Sequence, residues 1–387
     1  MLFPTHKKQL GAVFDIGTAS VSATVFELFQ EKGKPGILKT FRRFHKASLQ
    51  KDALHFSKST VSQFSAVMKD IAAFTNNRMP QLYVLGLSSI FYLGKTERFF
   101  VEHKKPALLK QSDIDEFIQS GKQNLFAELK RGDVVIFETM LMKSLLNGYP
   151  VLDPIGRTSQ SVELWVRLAA TSRELSGRFT DIIESAQRNA DIRFATFPTA
   201  TWILMKDAFP PEHNVLLVDI GGELTEVTFI ANGIITEVLT LPFGVLNILL
   251  RISEAEHIDL ENAYALLRSY TGGALSKEAE AHLKAVIKKE AKSWGEIFER
   301  VWQRASRDFM SNIQLYFLGG GAFVEEIKTA ITPPLLHPEI AKELKVSVIS
   351  PDTYKDQFAS YCCLEGPGDF GLLALMLQLE KATMRHI

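Results

Sequence analysis

Apolar positions along this chain switch between a period of two and a period near 3.6, and the switches mark its elements. Residues 11–44 predict three strands, with a turn at Gly33, Lys34, Pro35 and Gly36. Val61, Phe64, Val67, Met68, Ile71 and Phe74 recur at helical spacing, and residues 81–88 predict another strand. From Arg98 to Asp191 the rhythm changes. Ser112 followed by Asp113, Asp115 and Glu116 predicts a helix start, its acidic first turn matching the helix dipole better than an acid/base pair. Strands are predicted at 134–137 and 162–170, and a helix at 176–189. Together these form an α+β unit inserted into the first domain.

Residues 214–241 then repeat the opening three-strand pattern, with Asn232-Gly233 as a hairpin turn. A long helix is predicted from Lys277 to Met310, capped by Ser276, with Leu283, Ile287, Trp294, Phe298 and Trp302 as its core stripe. Residues 315–318 predict a strand running into Gly319-Gly320-Gly321, with a helix from Ala322 and a short apolar helix after Gly371.

The repeat is centred on one phrase. Val13-Phe14-Asp15-Ile16-Gly17 and Leu217-Val218-Asp219-Ile220-Gly221 each close an apolar run, and their aspartates are 219 − 15 = 204 residues apart. That spacing fits duplication of a domain and exceeds that of a solenoid repeat. Each phrase predicts strand, tight turn, strand. Such a turn offers backbone N–H groups to phosphate oxygens, and its aspartate can hold magnesium through water. Asp15, Gly17, Thr18 and Ser20 are the candidates in the first copy; Asp219, Gly221, Gly222, Thr225 and Glu226 are those in the second. Asp15 and Asp219 are the candidate magnesium ligands. Gly319, Gly320 and Gly321 would let an adenosine lie against bare backbone.

The 387 residues carry 44 basic and 44 acidic side chains, so bulk charge gives no support for a nucleic-acid partner. The two cysteines are the neighbours Cys362 and Cys363, which argues for a reduced, cytoplasmic protein without a zinc site. Residues 1–10 lack a signal-peptide core, and no apolar run reaches the ~18 residues needed to span a bilayer. Attachment to the inner face of a cell membrane would have to be peripheral. The nine histidines show no metal-ligand spacing, and Ser159-Gln160-Ser161 lacks a nucleophile-elbow context.

Two Asp-Ile-Gly hairpins followed by strand-Gly-Gly-Gly resemble the actin-like ATPase superfamily over nearly the whole chain. The resemblance implies an α/β fold of duplicated actin-like (ribonuclease-H-like) domains flanking a nucleotide cleft. It places ATP or ADP with magnesium between them, and the connecting helices at Pro198-Thr199-Ala200 and 366–372. The implied division is a first domain at 8–97 and 194–213, an inserted subdomain at 98–193, a second domain at 214–371 and a C-terminal helix at 372–387. Within the superfamily, an insertion of this kind resembles the cell-division protein FtsA and the pilus-assembly protein PilM. Leu146-Asn147-Gly148-Tyr149, Asp153-Pro154-Ile155-Gly156-Arg157 and Leu241-Pro242-Phe243-Gly244 are similar to FtsA, and Gly244 joins the nucleotide candidates on that basis.

An FtsA-like role implies filaments and an FtsZ-like partner; a PilM-like role implies a peptide from a membrane protein. Three departures bear on activity. Glu223 stands where the family's second phosphate loop has glycine. Only Arg268 is available where the family places a Glu-x-x-Lys-like pair near the ribose. No amphipathic anchor is evident, and Lys381, Arg385 and His386 are the only lipid-facing candidates. A nucleotide-binding adaptor with at most weak ATPase activity is expected, with a degenerate actin-like scaffold that binds nucleotide weakly or not at all as a further alternative. A sugar kinase would need a catalytic base beside the first loop, and a chaperone a β-rich C-terminal domain; the sequence offers neither.

Overall fold

The computed structural model describes residues 9–29, 33–45, 53–129, 133–208, 213–305, 313–331, 344–364 and 366–382. Arg385, His386 and the end of the long helix at Met310 lie outside them. The chain opens with β1 (Gln9–Ile16), β2 (Ser20–Phe29), β3 (Gly33–Phe44), α1 (Ala53–Phe74) and β4 (Leu82–Leu87). It continues through β5 (Tyr92–Leu108), α2 (Gln111–Leu129), β6 (Val134–Leu146), β7 (Tyr149–Pro150), β8 (Thr158–Ser172) and α3 (Arg173–Ala186). The strand β9 (Asp191–Thr196) and helix α4 (Phe197–Met205) follow. The second half is β10 (Asn214–Ile220), β11 (Thr225–Ala231), β12 (Ile234–Leu241), α5 (Val245–Glu256), α6 (Leu260–Thr271) and α7 (Lys277–Ala305). It ends with β13 (Ile313–Leu318), α8 (Glu325–Ile331), β14 (Lys345–Val348) and α9 (Phe370–Ala382).

Two five-stranded sheets share one topology. Their orders are β3-β2-β1-β4-β9 and β12-β11-β10-β13-β14, with the first three strands antiparallel and the last two added in parallel. The chain leaves the first sheet after β4 and builds a third sheet, β5-β8-β6-β7, before returning at β9.

Side-chain alternation divides the core. On β1, Ala12, Phe14 and Ile16 face α1 and α3, with Phe14, Phe64 and Phe179 in ring contact. Val13 points the other way, into a cluster shared with Val215 and Leu217 of β10 and with α4 and α9. These two apolar helices are thus packed between the inner faces of both sheets, which explains why they are hydrophobic all round. The outer face of the second sheet is covered by α5–α8, and α2 covers the third sheet.

Several elements differ from their predicted extents. β6 runs well past Phe137, because register shifts at Ile136/Glu138 and Leu141/Lys143 break the alternation that would reveal it. In α2 it is Asp113, not Ser112, whose carboxylate accepts a main-chain N–H, that of Lys110. Residues 33–36 belong to β3, whose pairing with β2 is irregular there. From Gly319 the chain makes two tight turns, closed by Ala322 N–H to Gly319 O and Val324 N–H to Gly321 O, before α8 begins at Glu325 in place of the helix predicted from Ala322. Asn232 (φ 53°) and Gly233 (φ 74°) form the hairpin turn as predicted. No described helix is long and apolar enough to cross a membrane.

Candidate functional site: a carboxylate-lined cleft between two hairpins

Both Asp-Ile-Gly phrases form the same turn. Gly17 N–H donates to Ser20 O at 3.1 Å, and Gly221 N–H donates to Leu224 O at 2.9 Å. These two N–H groups are therefore used inside the turns and do not face a phosphate. The tips meet: Glu223 N–H donates to the Thr18 hydroxyl at 3.3 Å, and a Cβ on Gly222 would fall 2.0 Å from that of Ala19. Nearby, Phe44 at the end of β3 packs on Tyr264 of α6, a second contact between the halves (ring centroids 6.2 Å).

Asp15 and Asp219 are the last polar residues before their turns. Each is deeply seated yet half-buried, which is the geometry of a cleft floor. Burial pushes the Asp15 carboxyl up to about 7, with Asp219 and Asp369 adding repulsion and Arg42 opposing. Burial pushes Asp219 up to about 6. Glu226 is pushed up to about 7, by burial and then by Asp219, against hydrogen bonds from Ser89 and Tyr92.

Strand register shows how the two copies have diverged. In the first, Asp15 lies opposite Ser22, and Ser22 opposite Arg42. Arg42 Nε donates to Ser22 Oγ at 2.7 Å, and its Nη2 pairs with Asp369 at 2.5 Å. In the second, Asp219 lies opposite Glu226, and Glu226 opposite Thr240. The second copy thus carries an extra carboxylate where the first has serine, and a hydroxyl where the first has its cation.

The remaining candidates pack around the second hairpin. Val245 and Leu246, the first residues of α5, donate their N–H groups to Gly221 O and Gly222 O. Gly244 is held by that approach, since a Cβ there would lie 2.4 Å from Gly222 O. Thr225 Oγ1 donates to Phe243 O at 2.7 Å, so its hydroxyl braces the loop. Gly319 (φ +80°) and Gly321 leave no room for side chains: a Cβ would meet Asp219 Oδ1 at 2.2 Å and Ile220 Cγ2 at 2.3 Å, respectively. Of the three glycines only Gly320 faces open space. Ser20 pairs with Phe44 across β2–β3. Arg268 is exposed in the last turn of α6.

Sequence reasoning missed Arg42, Asp369, Tyr92, Glu138 and Arg167. Tyr92 of β5 donates its hydroxyl to Glu226 at 3.2 Å, tying the third sheet to the second half. Buried Glu138 of β6 accepts from Thr196 N–H at 2.9 Å and from the Thr199 hydroxyl at 2.6 Å, at the start of α4. Arg167 of β8 is 1% exposed, and among the described residues its Nε and Nη2 have no hydrogen-bond partner. It acts instead through its charge on Glu138, Glu226 and Tyr92. No single residue signals these pairings in the sequence; they join segments up to 327 positions apart.

The donor chemistry fits a hydrated magnesium ion. Magnesium is typically held by one or two carboxylates together with water and phosphate oxygens, and a cation would relieve the repulsion recorded at Asp15. No group of three or more metal-ligating side chains occurs among the described residues, so any such ion would rely on water or phosphate for its other ligands.

No protein-family model matches the sequence, and no curated protein matches it. Among solved structures, the chain is similar to a PilM-PilN type IV pilus biogenesis complex, with TM-score 0.60 and 15% identity over 96% of this chain and 98% of the other. An ethanolamine utilization protein, EutJ, from Carboxydothermus hydrogenoformans gives TM-score 0.49 at 13% identity, over 97% and 90% of the two chains. A Bacteroides thetaiotaomicron protein with an actin-like ATPase fold and unknown function gives 0.46 at 8%, over 97% and 99%. Coverage of this extent, with the duplicated sheets, establishes the actin-like ATPase fold.

Proposed function

We propose that this chain, built on the actin-like ATPase fold, is a magnesium-nucleotide-binding adaptor that engages a protein partner through its inserted subdomain. The observation that carries the reading is the pair Asp15 and Asp219, one on each duplicated hairpin, whose carboxyls burial pushes up with Arg42 opposing at Asp15 alone. In this reading the two carboxylates hold magnesium through water, and the bound ion supplies charge neutralisation for nucleotide phosphates. Hairpin residues 17–20 and 221–223 flank the phosphates once the Thr18–Glu223 contact parts, and Gly320 offers open backbone to the adenosine. Glu223 in the second loop argues against efficient hydrolysis. Calorimetric titration with MgATP and MgADP tests this. Heat of binding that disappears in Asp219→Asn is expected, and absence of binding to the wild-type chain would refute it. Glu223→Gly is expected to tighten binding if its carboxylate faces the phosphates.

For the partner, likeness to the PilM of a PilM-PilN complex favours a PilM-like role, in which residues 98–193 take a short peptide from a membrane protein. The protein would then be cytoplasmic and reach the membrane through that partner. The FtsA-like segments at 146–157 and 241–244 favour a second reading, a filament-forming division adaptor with an FtsZ-like partner. Electron microscopy on lipid monolayers with ATP separates the two. Filaments support the division role; peptide binding without filaments, read by fluorescence anisotropy, supports the pilus role.

A further inference from the structure

The cysteine pair lies outside everything the cleft uses. Adjacent side chains on an extended backbone point to opposite faces, which would keep neighbouring thiols apart. Here Cys363 adopts φ 65°, a left-handed conformation uncommon for any residue other than glycine. That turn brings its Sγ to 2.9 Å from Cys362 Sγ, and both residues are exposed.

The surrounding segment is anchored. Phe358 and Leu364 are buried in the central core, and Ser360 bonds Ile37 of β3 in both directions: Ile37 N–H to Ser360 O at 2.9 Å, and Ser360 Oγ to Ile37 O at 3.1 Å. The Cys362 thiol donates to Ile37 O at 3.5 Å, while burial and the neighbouring Cys363 push it up to about 11.

We propose that Cys362 and Cys363 form a reversible redox site that closes to an eight-membered vicinal disulfide on reaction with a small-molecule disulfide. One cysteine, as thiolate, attacks a sulfur of the disulfide RSSR, forming a mixed disulfide and releasing RS⁻. The second, already in sulfur contact, loses its proton and attacks the first cysteine's sulfur in that mixed disulfide, breaking its bond to R–S and releasing the second RS⁻. The balance is two Cys–SH plus RSSR giving Cys–S–S–Cys plus two RSH: the protein is oxidised and the small disulfide reduced. A trans peptide holds neighbouring Cα atoms ~3.8 Å apart, short of the roughly 4.4–6.8 Å that disulfides prefer. The ring is therefore strained, which places it among readily reduced, regulatory disulfides and not among structural ones. Closure removes the proton that Cys362 gives to Ile37 O and so weakens the hold of residues 358–364 on β3. Six residues beyond Cys363, Asp369 meets Arg42, so the site is wired to the cleft by chain continuity.

The test is to incubate the full chain with excess oxidised glutathione, quench with acid, and read intact mass and a peptide map. Expected are loss of two hydrogens within one peptide holding both cysteines, reversal by dithiothreitol, and faster amide exchange at Ile37 in the oxidised chain. Cys362→Ser and Cys363→Ser should each retain one glutathione. A wild-type chain that retains glutathione, cross-links to a second copy or keeps two alkylatable thiols would overturn the proposal. So would equally fast closure in the urea-unfolded chain, because the folded placement of the sulfurs would then be irrelevant. None of these readouts depends on nucleotide binding.

Discussion

Replacing Asp15 with asparagine should stabilise the nucleotide-free protein at pH values above 3.8, and most above about 7. Below an ordinary pKa of 3.8, folded and unfolded chains both hold the proton and the cleft carries no penalty. As pH rises from 3.8 towards 7 the unfolded chain releases it while the folded chain keeps it, so stability falls through that window and levels off above about 7. A displacement of roughly 3 pH units at 1.36 kcal/mol each amounts to about 4 kcal/mol at pH 8. Asp15→Asn removes the ionisable group and should recover a large part of this, the lost attraction to Arg42 offsetting some. For 387 residues the unfolding entropy is about 0.8 kcal/mol/K, so this corresponds to a rise of up to about 5 °C in a single cooperative transition. Thermal melts by circular dichroism at pH 5 and pH 8, in low salt with EDTA, would measure it. The variant should gain more over wild type at pH 8 than at pH 5, and magnesium should raise the wild-type midpoint at pH 8 while barely moving the variant. A variant no more stable than wild type at pH 8, or a gain independent of pH, would refute the reasoning.

Glu138→Ala takes the buried carboxylate acceptor from Thr196 N–H and from the Thr199 hydroxyl. The expected loss, from urea denaturation, is about 2–4 kcal/mol, and a loss under about 1 kcal/mol would mean that the network rebuilds itself. Arg42→Met removes the cation that holds the Asp15 carboxyl down, so the pH at which MgATP affinity is half-maximal should move up; a downward move would contradict the assigned geometry. Gly319→Ala sets a methyl against Asp219 at a positive φ and should reduce MgATP affinity at least tenfold in calorimetry, with about 1–3 kcal/mol lost in stability. Gly320→Ala meets open space and should leave stability unchanged, which makes it the control for the stability loss alone.

The hairpins were legible because strand period and turn chemistry are local: residues 13–17 and 217–221 carry the whole signal within a few positions. The divergence of the two cleft walls was not. Arg42 reads as one of several charged residues in a half-exposed strand, and only the β1–β2–β3 register aligns it with Asp15. The glycines at 319 and 321 stand out in the sequence, but their close approach to hairpin residues Asp219 and Ile220, a contact across the fold, does not. Glu138 and Arg167 escaped notice because β6 and β8 carry charge on buried faces, which a hydrophobicity pattern scores against a core strand.

The excursion between β4 and β9 also sets the order in which the molecule can be completed. β4 ends at Leu87 and its neighbour β9 starts at Asp191, with 103 residues between them, and closing that interval costs about 3 kcal/mol more in chain entropy than the three-residue turn between β1 and β2. The inner face of the first sheet then waits for α9, made only at residues 370–382, to cover Val13 and Val84. The second sheet has all five strands available by residue 348. During synthesis both sheets therefore keep an apolar inner face open to chaperones or to a neighbouring nascent chain until α9 emerges.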